Sequence, residues 1–313
     1  MTTKENIEVA VESAHSLSGI KMKLRRSVVA IPPSYDENEK LETGTTASYV
    51  KFLESQGTET VMTTAGTSQF NLLTTEEIHE LNKSVAQNFT HQKILGVPML
   101  STYNTVEFIK RANAEYVDGN SHLMLLYPDR YYNDETLSSF VLAALDHTKN
   151  PYLHAQKMRG GPNDAYDYSA SLVSSMCADG LAGIKEEHSS LQKSFNFVKS
   201  LPDKLDIIVA GGSLRRFLFL EAAGANSLLS GVGNLFPKIE NDFFDSTKEE
   251  RQKLLNIETK FFSVAMSMGW HRALRESLKI LSLTCENNRN PWPELTELES
   301  LKLKNIIEEV SNE

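Results

Sequence analysis

A lysine at the end of a short apolar run is the residue of this chain whose position most suggests chemistry. Lys185 directly follows Ile184 in the segment LAGIKE (181–186). If that segment is a buried strand, desolvation disfavours the charged ammonium and favours the neutral amine, which is a nucleophile. Such an amine condenses with a ketone or 2-oxo acid to a Schiff base, an electron sink for making or breaking carbon–carbon bonds. The alternative is a solvated Lys185 at a frayed strand end, beside two glutamates.

A Schiff-base enzyme also needs a proton carrier and groups that bind substrate carboxylates. His154 has a side chain with the pKa range for proton transfer. Arg159, which precedes two glycines, can bind a carboxylate through two parallel hydrogen bonds. Both have ordinary alternatives, since a strand histidine is commonly a core residue and a loop arginine is commonly a surface residue.

Two short turns of small residues complete the set of candidates. In the segment AGTS, Gly66, Thr67 and Ser68 offer backbone N–H groups and hydroxyls to an anion, although such turns also occur for purely structural reasons. In the segment AGG, Gly211 follows a strongly apolar run. Each candidate lies in or directly after a run that the hydrophobic pattern predicts as a strand.

The elements that must position these residues are short aliphatic or β-branched runs, which alternate with longer amphipathic segments. Eight runs are predicted as strands: 27–33, 58–66, 93–100, 122–128, 151–156, 181–186, 205–212 and 226–231. The clearest helix is LTTEEIHELNKSVAQNF, which starts at Thr75 and has Ile78, Leu81 and Val85 on one face.

The repeated order of strand then helix predicts an α/β fold with a parallel sheet covered by helices. Eight such units favour closure into a (β/α)8 TIM barrel over an open doubly wound sheet, and in a barrel the chemistry gathers at the carboxyl ends of the strands. We predict three regions: a polar N-terminal extension over 1–22, the barrel over 23–236, and a C-terminal helical appendage over 237–313 that packs on the barrel. No Gly/Ser-rich or Pro-rich linker separates the last two.

Composition excludes several classes of protein. The 313 residues include 32 Lys and Arg against 41 Asp and Glu, a net charge of −9, which argues against a nucleic-acid partner. No apolar run approaches the ~18 residues of a membrane span, and the polar N-terminus is unlike a signal peptide, so we expect a cytoplasmic protein without membrane contact. Cys177 and Cys285 lack metal-ligand spacing, and we expect reduced thiols and neither a metal nor a cofactor.

Several motifs in consistent order resemble the dihydrodipicolinate synthase / N-acetylneuraminate lyase superfamily of Schiff-base (β/α)8 aldolases. VVAIPPSYDENEKLE is similar to the family's opening strand and turn, AGTSQFNLLTTEE to its GTTGE-x-x-x-L-T-x-E-E segment, and GIKE to its Schiff-base lysine motif. GANSLLSGVGNLFP resembles the eighth strand, and LRESLKILSLTCENNRNPWPELTELE resembles the terminal helices. The resemblance runs from about Leu24 to near Glu309.

The resemblance implies roles for particular residues. Lys185 would form the imine, Gly66 and Thr67 would hold the 2-oxo acid carboxylate, and Leu229 would supply a backbone carbonyl near the substrate. Arg159 matches the arginine that contacts the second substrate's carboxylate in the synthase branch. The resemblance also implies a homo-oligomer, either a tetramer or a dimer.

The chain departs from the family's pattern at its proton-relay tyrosines. Five positions before Arg159, where the family has a tyrosine, stands His154, and a different alignment places Ala155 there. Either Tyr131 or Tyr132 takes the place of a second family tyrosine.

We therefore predict a Schiff-base lyase or synthase that acts on pyruvate or a 2-oxo sugar acid through Lys185, by aldol or dehydration chemistry. His154 or a nearby tyrosine would move protons, and the turn at 66–68 would bind the carboxylate. The alternative is a barrel that binds a 2-oxo acid without turnover.

Overall fold

The computed structural model describes residues 26–63, 65–128, 133–155, 168–211, 213–285, 287–291 and 293–313. Eight parallel strands form a closed barrel in chain order, and the eighth pairs with the first. They are β1 (Ser27–Ala30), β2 (Thr60–Met62), β3 (Gln92–Gly96), β4 (Ser121–Leu125), β5 (Tyr152–His154), β6 (Gly183–Glu186), β7 (Asp206–Val209) and β8 (Ser227–Ser230). The predicted TIM barrel is confirmed, and every strand lies within one residue of its predicted segment.

A helix follows each strand in the described part of the chain. These helices are α1 (Thr43–Ser55), α2 (Thr75–Asn88), α3 (Thr102–Glu115), α4 (Asp134–Leu145), α5 (Ala170–Ala178), α6 (Leu191–Lys199), α7 (Leu214–Glu221) and α8 (Pro237–Asp245). Three more follow the eighth unit: α9 (Lys248–Ser267), α10 (Trp270–Ile280) and α11 (Glu297–Ser311).

The helix α2 forms where its sequence predicts. Thr74 accepts a hydrogen bond from the backbone N–H of Glu77, and the Glu77 side chain accepts one from the backbone N–H of Thr74, so a capping box satisfies the first turn. Ile78, Leu81 and Val85 are all buried, as their spacing predicts.

Apolar side chains form two layers because successive residues of a strand point to opposite faces. The outer layer lies between the strands and the helices. The inner layer fills the barrel itself and consists of Val28, Ala30, Met62, Ala65, Ile94, Met124, Tyr152 and Ile208.

Packing closes the interior at the amino-terminal ends of the strands. Tyr152, the first residue of β5, is fully buried, and its hydroxyl donates to Asp206 Oδ2 at 2.7 Å. Gly183 leaves the space that the Tyr152 ring occupies, since a Cβ at that position would clash with it. In the described part of the chain, we therefore expect a reactant at the carboxyl ends of the strands, the open end of the barrel.

The C-terminal helices reach that open end. A Cβ at Gly231, just after β8, would lie 2.9 Å from Trp270 Cζ2, so the first residue of α10 packs beside the end of the barrel. No described helix combines the length and apolar character needed to cross a membrane. Cys177 and Cys285 are free thiols.

Candidate active site

Strand register brings the two predicted catalytic residues together. His154 on β5 pairs directly with Lys185 on β6; two residues before His154, Tyr152 fills the barrel interior, and two residues before Lys185, a Cβ at Gly183 would point at the Tyr152 ring. The two side chains therefore point inward at the open end, where His154 is 2% and Lys185 3% exposed. The solvated alternative for Lys185 is excluded by this burial.

A third group, Glu187, completes the cluster. Lys185 Nζ donates to Glu187 Oε2 at 2.5 Å, and His154 Nε2 lies 3.2 Å from both of these atoms. Glu187 is not among the site residues predicted from the sequence. Its position two residues after Lys185 was the available signal, because that spacing puts both side chains on one side of an extended chain.

Burial and neighbouring charges determine the protonation states of His154 and Glu187. Burial, followed by the positive charge of Lys185, lowers the pKa of His154 from 6.5 to about 4. Burial alone would raise the pKa of Glu187, but the Lys185 charge and a hydrogen bond with His154 outweigh burial and place that pKa well below its usual range. At neutral pH the cluster thus contains a neutral imidazole and a carboxylate.

The turn after β2 presents backbone donors at the same end of the barrel. Ser68 N–H donates to Ala65 O and Gln69 N–H donates to Gly66 O, both at 3.0 Å. In the described part of the chain, no acceptor engages the N–H groups of Gly66 and Thr67, and the buried Ser68 hydroxyl makes no hydrogen bond. Two amides and a hydroxyl are therefore available to a carboxylate.

His271, the second residue of α10, connects this turn to the cluster. Its Cε1 atom would lie 3.8 Å from a Cβ at Gly66. Burial lowers the pKa of His271, and the negative charge of Glu187 opposes that effect. His271 is not among the residues predicted from the sequence, because a helical pattern far along the chain does not indicate which strand ends the helix covers.

The remaining candidates have different outcomes. Gly211 has a φ of 69°, and a Cβ there would lie 3.4 Å from Glu187 Cγ, so this glycine borders the cluster. Leu229 on β8 packs against the inner layer of the barrel. Arg159, Tyr131 and Tyr132 lie outside the described residues.

One group of described residues has the donor atoms of a metal site. Potential ligand atoms of Glu76, His79 and Glu80 on α2 lie within 4.8 Å of one another. Both Glu76 oxygens, however, accept hydrogen bonds from the Arg111 guanidinium, at 2.6 and 2.7 Å. A guanidinium in this place repels a second cation, and we assign no metal to this group.

Comparison with protein-family models matches residues 23–310 to the Dihydrodipicolinate synthetase family. The range covers the whole stretch, from about Leu24 to near Glu309, in which the motifs occur. A search of curated proteins gives no match.

Solved structures of the same fold include two synthases and a lyase. The chain is 20% identical to 4-hydroxy-tetrahydrodipicolinate synthase from Methylacidiphilum fumariolicum, with a TM-score of 0.76 over 93% of this chain and 97% of that one. It is 14% identical to dihydrodipicolinate synthase from Cyanidioschyzon merolae with lysine bound (TM-score 0.79; 92% and 98%). It is also 14% identical to N-acetylneuraminate lyase from Fusobacterium nucleatum (TM-score 0.80; 92% and 99%). These likenesses show the fold.

Proposed function

Because this chain belongs to the dihydrodipicolinate synthetase family, we propose that it is a class I aldolase-type lyase whose Lys185 forms an imine with pyruvate or another 2-oxo acid. One observation carries the proposal: a buried lysine amine at the open end of the barrel contacts a neutral imidazole and a carboxylate. Solved structures with this fold include a synthase and a lyase by name, which supports the same class of reaction.

In this proposal the turn at 66–68 binds the substrate carboxylate. The N–H groups of Gly66 and Thr67 and the Ser68 hydroxyl would donate to it. Leu229 contributes a backbone carbonyl and Gly211 leaves space beside the cluster. Arg159 would bind a second carboxylate, in the synthase type of reaction.

His154 takes the place of the family's relay tyrosine in this proposal. Its Nε2 atom is 3.2 Å from Lys185 Nζ, within reach of a substrate atom bonded to the imine. Once the imine has formed, carbon–carbon or carbon–oxygen bond cleavage leaves an enamine, and His154 would exchange protons with that part of the substrate. We also propose a cytoplasmic homo-oligomer, a dimer or tetramer, that has a small-molecule substrate and no nucleic-acid or membrane partner.

The test is reductive trapping. Incubation with pyruvate and borohydride should add to the protein the mass of pyruvic acid less one oxygen, and peptide mapping should place the adduct on Lys185. Lys93 is an internal control, because it is equally buried and pairs with Asp118 at 2.9 Å, but on β3 its side chain points to the helix layer. Its peptide should carry no adduct.

The outcomes separate the proposal from its alternative. If pyruvate gives no adduct, 2-oxo sugar acids are tested in the same way. A Lys185→Ala variant with undiminished turnover would exclude imine chemistry. Thermal stabilisation by 2-oxo acids without an adduct or product would instead establish a binding barrel without turnover.

A further inference from the structure

We infer that Glu187 is a catalytic residue that carries a proton between Lys185 and the departing hydroxyl while the imine forms. The inference rests on the proposed function and adds to it a residue and a step. Glu187 touches the reacting atom directly, since its Oε2 lies 2.5 Å from Lys185 Nζ. The ammonium form of a lysine is not nucleophilic, so imine formation must begin when Lys185 gives a proton to a neighbouring base.

His154 is the other neighbour, but its Nε2 lies 3.2 Å from Lys185 Nζ, against 2.5 Å for Glu187 Oε2. An imidazolium carries N–H groups on both ring nitrogens. His154 Nδ1 is buried and has no hydrogen-bond partner in the described part of the chain, so an imidazolium here would leave a buried N–H donor unsatisfied. The neutral tautomer with hydrogen on Nε2 avoids this and can donate to Glu187 Oε2.

The two partners of the Lys185–Glu187 pair also differ in freedom to move. The Lys185 side chain is 4% exposed and the Glu187 side chain 37% exposed, so the carboxylate reaches the open end of the site. Gly211 presents no side chain to Glu187 Cγ. Glu187 can therefore turn from the amine towards a hydroxyl on the adjacent carbon, while Lys185 remains in place.

The step balances without another reactant. Lys185 ammonium gives one proton to Glu187, and the amine adds to the substrate C2 carbonyl, whose oxygen receives a second proton from the nitrogen. The protonated Glu187 then gives its proton to the carbinolamine hydroxyl, the C–O bond breaks, and water leaves as the nitrogen lone pair forms the C=N bond. Ammonium and carbonyl have become iminium and water, and the Glu187 carboxylate again faces a cation.

The experiment measures the rate of imine formation by rapid mixing with pyruvate and quenching with borohydride. Glu187→Gln keeps the size of the side chain but cannot accept the proton, and we expect trapping about 10²-fold slower at pH 7. The rate in this variant should rise with pH because hydroxide must now remove the proton. Glu187→Ala should recover part of the rate when formate is added, which a purely structural role does not explain. Glu308→Gln, on the exposed face of α11, should trap at the parent rate.

The failures are distinguishable. Trapping at Lys185 in the parent with an equal rate in Glu187→Gln would overturn the role of Glu187 and leave the proposed function intact. If Glu187→Gln does not fold, Glu187→Ala serves as the test. The role of Glu187 is overturned if that variant keeps the parent thermal unfolding temperature and formate does not restore its trapping rate. No adduct in the parent with any 2-oxo acid would overturn both.

Discussion

Two sites in this barrel hold carboxyl groups whose pKa values shift in opposite directions. At the open end, Glu187 contacts Lys185 and His154 and has a lowered pKa. Beside Gly233, just after β8, Glu240 on α8 is 1% exposed, as is Glu258 on α9, and no ion pair reaches either in the described part of the chain. Both Glu258 oxygens accept from the Leu214 N–H at the start of α7, at 3.0 and 3.1 Å.

The difference lies in the neighbouring charge. Burial, followed by the negative charge of Glu240, raises the pKa of Glu258 to about 8, and burial raises the pKa of Glu240. Burial therefore does not by itself prepare a carboxyl group for proton exchange with an amine. The adjacent lysine does so, and without such a cation the same group becomes a protonation site that is linked to folding stability.

The largest expected effect comes from removal of that lysine. Lys185→Met should abolish borohydride trapping and lower turnover by about 10³-fold or more. It should also raise the pKa of Glu187, which then resembles Glu258. Carbon-13 NMR titration of labelled glutamate carboxyls measures this shift. Lys93→Met is the matched control, since it removes a lysine equally buried but outside the cluster, and an unchanged Glu187 titration in Lys185→Met would contradict the comparison.

Replacement of Glu258, in the second site, should change how the unfolding free energy depends on pH. The folded pKa of Glu258 is about 8 against an ordinary 4.5, so between these values the folded state binds more protons at Glu258, and the contribution of this group to stability falls as pH rises. The loss is at most about 1.4 kcal/mol per pH unit. Glu258→Gln should reduce the change in unfolding free energy between pH 5.5 and pH 8. Urea unfolding at both pH values, at fixed protein concentration, measures this change. Glu308→Gln should keep the parent slope, and a parent slope in Glu258→Gln would refute the assignment.

His154 should make the unfolding free energy depend on pH in the opposite direction, over a narrower pH range. Its folded pKa of about 4 lies below 6.5, so between these values the unfolded state binds more protons and stability falls as pH falls. The slope is again at most about 1.4 kcal/mol per pH unit. His154→Asn should lose less stability than the parent between pH 6.5 and 4. Equal acid sensitivity of the two proteins in unfolding experiments would count against a buried neutral imidazole.

The smallest expected effect is at the glycine beside Glu187. Gly211→Ala and Gly224→Ala each put a side chain on a residue with positive φ, and each should cost about 1 kcal/mol of unfolding free energy. Only at Gly211 does the new methyl contact Glu187, because nothing lies within 4 Å of a Cβ at Gly224. Trapping should therefore slow in Gly211→Ala alone. Equal rates in both variants would remove Gly211 from the site.

Much of the fold follows from the sequence because its signals are local. The apolar runs predicted all eight strands, and the spacing of Ile78, Leu81 and Val85 predicted the buried face of α2. The order of the motifs identified the family, which the match over residues 23–310 confirms. The position of Lys185 at the end of an apolar run predicted a buried amine, and the structure confirms that burial.

The contacts of the site were decided by tertiary structure. Register between β5 and β6 puts His154 opposite Lys185, and the rotamer of Glu187 brings one oxygen to both of them. His271 joins from α10, after eight β/α units have closed the barrel. Amino-acid types and their spacing along one strand determine which side chains point inward. Closure of the barrel and the return of the C-terminal helices determine which of them meet, because those contacts depend on distances that no local pattern encodes.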